Sequence, residues 1–88
     1  MVVHACADDI SRRVNAEMVQ KLKSLRKAYV EEAPQDVERL DESQRFWESY
    51  RDMQCELSGV HIGSPMYSVC PMEKAIQRLK EINYLLQQ

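Results

Sequence analysis

Few side chains in this 88-residue chain are of types that do chemistry: three cysteines, at positions 6, 55 and 70, and two histidines, at 4 and 61. Cysteine and histidine together can hold zinc or form a thiolate–imidazole nucleophile. His4 and Cys6 stand alone near one end, and His61 lies between Cys55 and Cys70 without a paired ligand spacing. No metal, cofactor or catalytic residue is expected. Glu48 and Asp52 are one helical turn apart, as paired acids need, yet on an acidic stretch such a pair is solubilising charge. The remaining chemistry is covalent. A Cys55–Cys70 bridge would close a loop of about 15 residues and add roughly 3 kcal/mol of stability. Reduced, the two would pack as small hydrophobes in a reducing compartment. The residues leave both states open.

The elements that must position these groups are helical. Two glycines, three prolines and few β-branched residues leave little material for hairpins. Ile10, Val14, Met18, Leu22, Leu25 and Tyr29 recur at steps of three and four, which predicts one helix over residues 8–32 after an arm of residues 1–7. Asp8 or Asp9 suits its start and Lys21–Lys27 its end. Pro34 interrupts the pattern and is acceptable in the first turn of a second helix, predicted over 35–57. On that helix Phe46, Tyr50, Met53 and Leu57 share one face, Trp47 widens it, and Val37 and Leu40 extend it. Asp41 and Arg45, four apart, suit an exposed ion pair. Residues 58–70 read as a loop and short turn, because both glycines fall there and Pro71 would break hydrogen bonds inside a helix. A third helix over 71–86 then buries Met72, Ile76, Leu79, Ile82 and Leu86. The expected fold is all-α: a single domain, a small three-helix bundle or array.

Size and charge bound the function. A chain this short has a marginal core unless something reinforces it. No apolar run approaches the roughly 20 residues that cross a bilayer. The net charge of −2 is unevenly spread: residues 1–30 carry six basic and three acidic groups (+3), residues 31–56 three and nine (−6), and residues 57–88 three and two (+1). Neighbouring helices can neutralise each other in this way, or the acidic middle can face a basic partner. Without strong positive charge or aromatic interleaving, nucleic acid is not expected as a partner. Residues 1–6, Met-Val-Val-His-Ala-Cys, read equally as a trimmed signal-peptide remnant or as an ordinary N-terminus.

One further pattern is specific. Gln44, Arg45, Trp47, Tyr50, Arg51, Asp52, Cys55, Gly63, Cys70 and Arg78 stand at the spacings of a glutamine-arginine pair, tryptophan, tyrosine-arginine-acid, cysteine, glycine loop, cysteine, and arginine eight residues later. Over residues 40–82 the chain resembles the LprI-like, lysozyme-inhibitor-type family of small secreted bacterial proteins. Val14-Asn15 matches the family's leucine-asparagine step. Met18 replaces a usual tyrosine, Lys74 and Ala75 replace an apolar residue and threonine, and Cys6 lacks a usual second cysteine.

The resemblance implies a helical domain in the periplasm, the cell envelope or outside the cell, with Cys55 and Cys70 oxidised across the loop between helices 2 and 3. Cys6 is then free, parted from its mate, intermolecular or lipid-bearing, although Val3-His-Ala-Cys6 is a poor lipobox. Trp47, Tyr50, Arg51, Asp52 and Arg78 take structural roles, the two guanidiniums bridging helices to carboxylates or helix ends. The implied function is non-enzymatic: binding a protein, a basic lysozyme-like glycosidase, through the tethered loop Ser58, Gly59, Val60, His61, Ile62, Gly63 and Ser64. The alternative is an envelope structural or interaction module, or a toxin-neutralising protein, with no lysozyme contact.

Overall fold

Three α-helices account for nearly all of the described residues. A computed structural model describes the backbone of residues 2–88 and the side chains of residues 4–88. Met1 and the side chains of Val2 and Val3, on which the leader and lipobox readings partly rest, lie outside the described residues. Helix α1 spans Val2–Glu32, a 3-10 turn Pro34–Asp36, helix α2 Val37–His61 and helix α3 Met66–Leu86. At 1.5 Å per residue, the 31 residues of α1 measure about 46 Å, which sets the 46 Å long axis of the molecule. Helix α3 is the middle element, packing chiefly on α1 and then on α2, whereas α1 and α2 scarcely touch.

The turn between α1 and α2 follows from Pro34. A residue before proline is pushed out of the helical region, and Ala33 sits at φ −147°, ψ 62°. Its N–H still donates to the Tyr29 carbonyl (2.8 Å), so α1 ends without an orphaned donor there. The core lies where the three helices meet. Met18, Leu25, Leu40, Ala75 and Ile82 are buried, and Val14, Leu22, Tyr29, Trp47, Leu79 and Leu86 pack around them. Val14 to Tyr29 of the expected α1 stripe and Leu79, Ile82 and Leu86 of the expected α3 stripe are among them, joined by Leu40 and Trp47 of α2. Ile10, however, is exposed, and Ala75 enters the core where the sequence pointed to Met72 and Ile76, which are half-buried outside it.

Four expectations are corrected. The predicted arm over residues 1–7 is helical from Val2, and Ala7 is buried. Alanines favour helix, and burial ties this turn down. Helix α2 runs to His61 rather than 57, because Ser58 and Gly59 are buried and leave only Ile62–Pro65 as the connection. Helix α3 begins at Met66 and passes through Pro71 instead of starting there. The Cys55–Cys70 bond holds its first turns against α2, and the buried Ser68 meets His4 Nδ1 of α1 (3.1 Å), together opposing the roughly 3 kcal/mol that an interior proline costs. Asp41 pairs not with Arg45 but with Arg26 of α1, Nε to Oδ1 3.2 Å.

The fifth difference concerns rotation. Phe46, Tyr50, Met53 and Leu57 do not face the core: all four are exposed, and α2 buries Leu40, Cys55, Ser58 and Gly59 instead. Gly59 explains part of this choice. The Tyr67 ring lies directly on the α2 backbone there, and a Cβ at Gly59 would collide with it. Gly59→Ala is therefore expected to destabilise the protein by about 1–3 kcal/mol. The companion variant Tyr67→Ala should remove most of that penalty. Equal penalties in both backgrounds, read from urea midpoints, would show that the ring is not the obstacle.

Candidate functional site

Of the groups singled out by the sequence, Cys55, Cys70, Tyr50 and Arg78 make contacts between α2 and α3. Trp47 and Arg51 instead line a hollow shared with α1, and Arg51 bridges no helices through its polar contacts. Cys55 and Cys70 are joined as a disulfide with Cα atoms 5.4 Å apart, and both are buried. Cys6 is a free, exposed thiol on α1, remote in sequence from both. Between the same helices, Lys74 Nζ donates to the Tyr50 hydroxyl (3.2 Å) and lies 5.3 Å from the centre of its ring. Tyr50 thus stands at the edge of the α2–α3 contact, half-exposed.

Arg78 also joins α3 to α2. Its side chain is only 11% exposed, and its guanidinium donates to Gln44 Oε1 (3.0 Å), Ser43 Oγ (3.1 Å) and Glu81 Oε1 (3.1 Å). Gln44 in turn donates its Nε2 towards Met18 Sδ (3.5 Å). A chain of polar contacts therefore links α3 to α2 and α2 to α1. A planar guanidinium suits this because its donors point in fixed directions to several acceptors at once. Arg51 lies over the Trp47 ring, 5.0 Å from its centre, and its Nε donates to Asp52 Oδ1 (2.9 Å). That stack covers the half-buried indole from solvent.

The loop residues divide. Ser58 and Gly59 belong to the buried end of α2, whereas Val60, His61, Ile62 and Ser64 are exposed. Ile62 is 73% exposed, the most open large apolar side chain among those described. The turn holding it is well determined by hydrogen bonds. Ile62 N and Gly63 N donate to the Ser58 carbonyl (2.9 and 3.3 Å), and Met66 N to the Gly63 carbonyl (3.0 Å). Gly63 has φ 152°, a conformation that residues with side chains rarely adopt. The connection is thus a rigid tip with the disulfide at its base, narrower than the sequence suggested.

Two surfaces escaped the sequence reading. A groove of about 380 Å³ is lined by α1 and α2 alone, with Val19, Leu22 and Leu40 as apolar wall and Lys23, Arg26 and Arg45 on its rim. It continues into a hollow of about 250 Å³ that reaches Trp47 and Arg51. The groove exists because α1 and α2 are held apart by α3, which no local pattern reveals. The second is the exposed apolar ridge of α2, whose signal was present in the spacing but was read as core. Among the described residues, no group of three acidic, histidine or cysteine side chains is arranged to hold a metal, and no helix is long and apolar enough to cross a membrane.

The family model described as "Lysozyme inhibitor LprI" matches residues 1–82. No curated protein and no solved structure matches the chain.

Proposed function

The chain belongs to the lysozyme inhibitor LprI family, and from that membership we propose that it is a non-enzymatic, extracytoplasmic protein-binding domain that inhibits a lysozyme-like glycosidase. The observation that carries the reading is the stapled tip between α2 and α3. A cleft-directed inhibitor needs a convex element that loses little freedom on binding. The tip has that character: a short turn, hydrogen-bonded within itself, with a disulfide between its flanking helices and Ile62 projecting. The oxidised cysteine pair also fits a compartment outside the reducing cytosol.

In this reading Val60, His61 and Ile62 enter the enzyme's cleft, with Gly63 and Ser64 shaping the turn. Ser58 and Gly59 support it from below. The acidic run of α2 supplies long-range attraction to a basic enzyme, through exposed Glu48, Asp52 and Glu56. Such steering accelerates association and weakens as salt rises.

The test is lysozyme-driven clearing of a bacterial suspension with the oxidised protein added. Clearing should slow at micromolar excess, and Ile62→Asp should weaken inhibition about 10-fold or more while leaving the helical content unchanged. Unaltered clearing at micromolar excess would remove the inhibitor reading for that enzyme. Full inhibition by the Ile62→Asp variant would reject the tip as the binding element.

A further inference from the structure

The groove between α1 and α2 has two chemically different ends. Its wall is almost wholly apolar: Val19, Leu22 and Leu40 line about 380 Å³, which runs on past Met18 into the hollow of about 250 Å³ beside Trp47. Residues 15–26 of α1 and 40–51 of α2 bound it, a length of about 16 Å at 1.5 Å per residue. Charge separates the ends. Around the larger part stand Lys23, Arg26 and Arg45 against Asp41 alone, and Asp41 is taken by Arg26 (Nε to Oδ1 3.2 Å). Among the described residues, Lys23 and Arg45 have no acidic partner. At the Trp47 end Glu48 lines the hollow, and Arg51 is engaged by Asp52 (2.9 Å). An anionic group is therefore favoured at the first end and disfavoured at the second.

We propose that the groove binds a single-chain fatty carboxylate, its head between Lys23 and Arg45 and its tail beside Met18 and Trp47. Width excludes a bulkier occupant. A helix 10 Å across and 16 Å long fills about 1,200 Å³, roughly twice what groove and hollow hold together, so it cannot descend between α1 and α2. An extended peptide carries backbone N–H and C=O groups, which an apolar wall leaves unpaired on the side it covers. An unbranched aliphatic chain has neither fault, being slender and free of polar atoms until its end. Ligand sites combine such a wall with a few placed polar groups. The groove stays open along one side, so each methylene is half covered. It then contributes about 2-fold in affinity rather than the roughly 4-fold of full burial.

The Ile62 tip takes no part in the groove, so the binding does not depend on the inhibitor reading. Trp47 is the single tryptophan of the chain, and a bromine brought beside it quenches its fluorescence. Dodecanoate brominated at its last carbon, kept below micelle formation, is expected to quench Trp47 with a midpoint on the order of 100 μM. Dodecanoate brominated beside the carboxylate should quench several-fold less. Octanoate should compete about 10-fold less well than dodecanoate, and dodecyltrimethylammonium, of opposite head charge, about 10-fold less well or worse. Val19→Glu sets a carboxylate in the wall and should weaken binding about 10-fold or more. Val19 is half-exposed, so this variant keeps its circular dichroism and melting temperature. Lys23→Glu combined with Arg45→Glu should weaken binding by a similar factor, whereas Lys27→Glu, exposed on α1 outside the groove, should leave it unchanged.

Absence of quenching up to millimolar probe would overturn the proposal. Equal quenching by the two brominated acids would do the same, as would undiminished binding to Val19→Glu or equal competition by the cationic amphiphile. Quenching by the brominated acid only when it is carried in lipid vesicles, and never from solution, would assign the surface to a membrane and reject the single-chain site.

Discussion

Replacing both Cys55 and Cys70 by alanine is expected to lower the melting temperature by roughly 12–24 °C. The two residues are 15 apart in sequence, and a bridge closing a loop of that length is worth about 3 kcal/mol. In a domain of this size each kcal/mol moves the midpoint by about 4–8 °C. The loss should also have a definite place. Pro71 removes one hydrogen bond from the first third of α3, and the bond at Cys70 holds the residues before it against α2. Without that bond, Met66–Cys70 should fray up to Pro71, which is the helix start that local pattern favours. Amide exchange should therefore accelerate over residues 62–70 while residues 74–86 keep their protection relative to the global midpoint. A fall of only a few degrees, with no local change in exchange, would show that packing alone secures the hairpin. If the Ile62 tip inhibits as proposed, the same variant should also lose inhibition, more than its stability loss accounts for at a temperature where it remains folded.

Ile82→Ala is expected to cost about 2–5 kcal/mol, against a total stability for 88 residues of about 4–13 kcal/mol. Ile82 is fully buried, at the point where α3 meets Leu25 and Met18 of α1 and Leu40 of α2. Its side chain belongs to the cluster in which all three helices take part, and its truncation leaves a cavity there. Tyr84→Ala, two residues on but exposed, should change stability by no more than about 0.5 kcal/mol. Urea unfolding followed by circular dichroism measures both. Similar midpoints for the two variants would show that the three-helix junction is not the centre of the core.

Helix type and number were legible because apolar spacing is a local property. The α1 stripe from Val14 to Tyr29 and Leu79, Ile82 and Leu86 of the α3 stripe lead to the core, since an apolar spacing of three and four marks the face a helix can bury. The α1–α2 break was legible too, because Pro34 restrains Ala33 whatever surrounds it. Family membership could be read from the tryptophan, arginine, cysteine and glycine positions between residues 44 and 78. The disulfide followed from that likeness and not from spacing, which suits reduced cysteines equally.

Other features depended on three-dimensional arrangement. Helix α2 carries two faces that could be buried, and spacing favoured the larger, with Phe46, Tyr50, Met53 and Leu57. The folded chain buries the smaller one, because a bond at Cys55 and the close approach of Tyr67 to Gly59 orient the helix from outside its own pattern. The same long-range contacts extend α2 past Leu57, carry α3 through Pro71 and reduce a long loop to the Ile62 tip. Local pattern establishes that a segment is helical and which residues are apolar. Which way a two-faced helix turns is settled by residues distant in sequence, and here that turn leaves the apolar ridge in solvent.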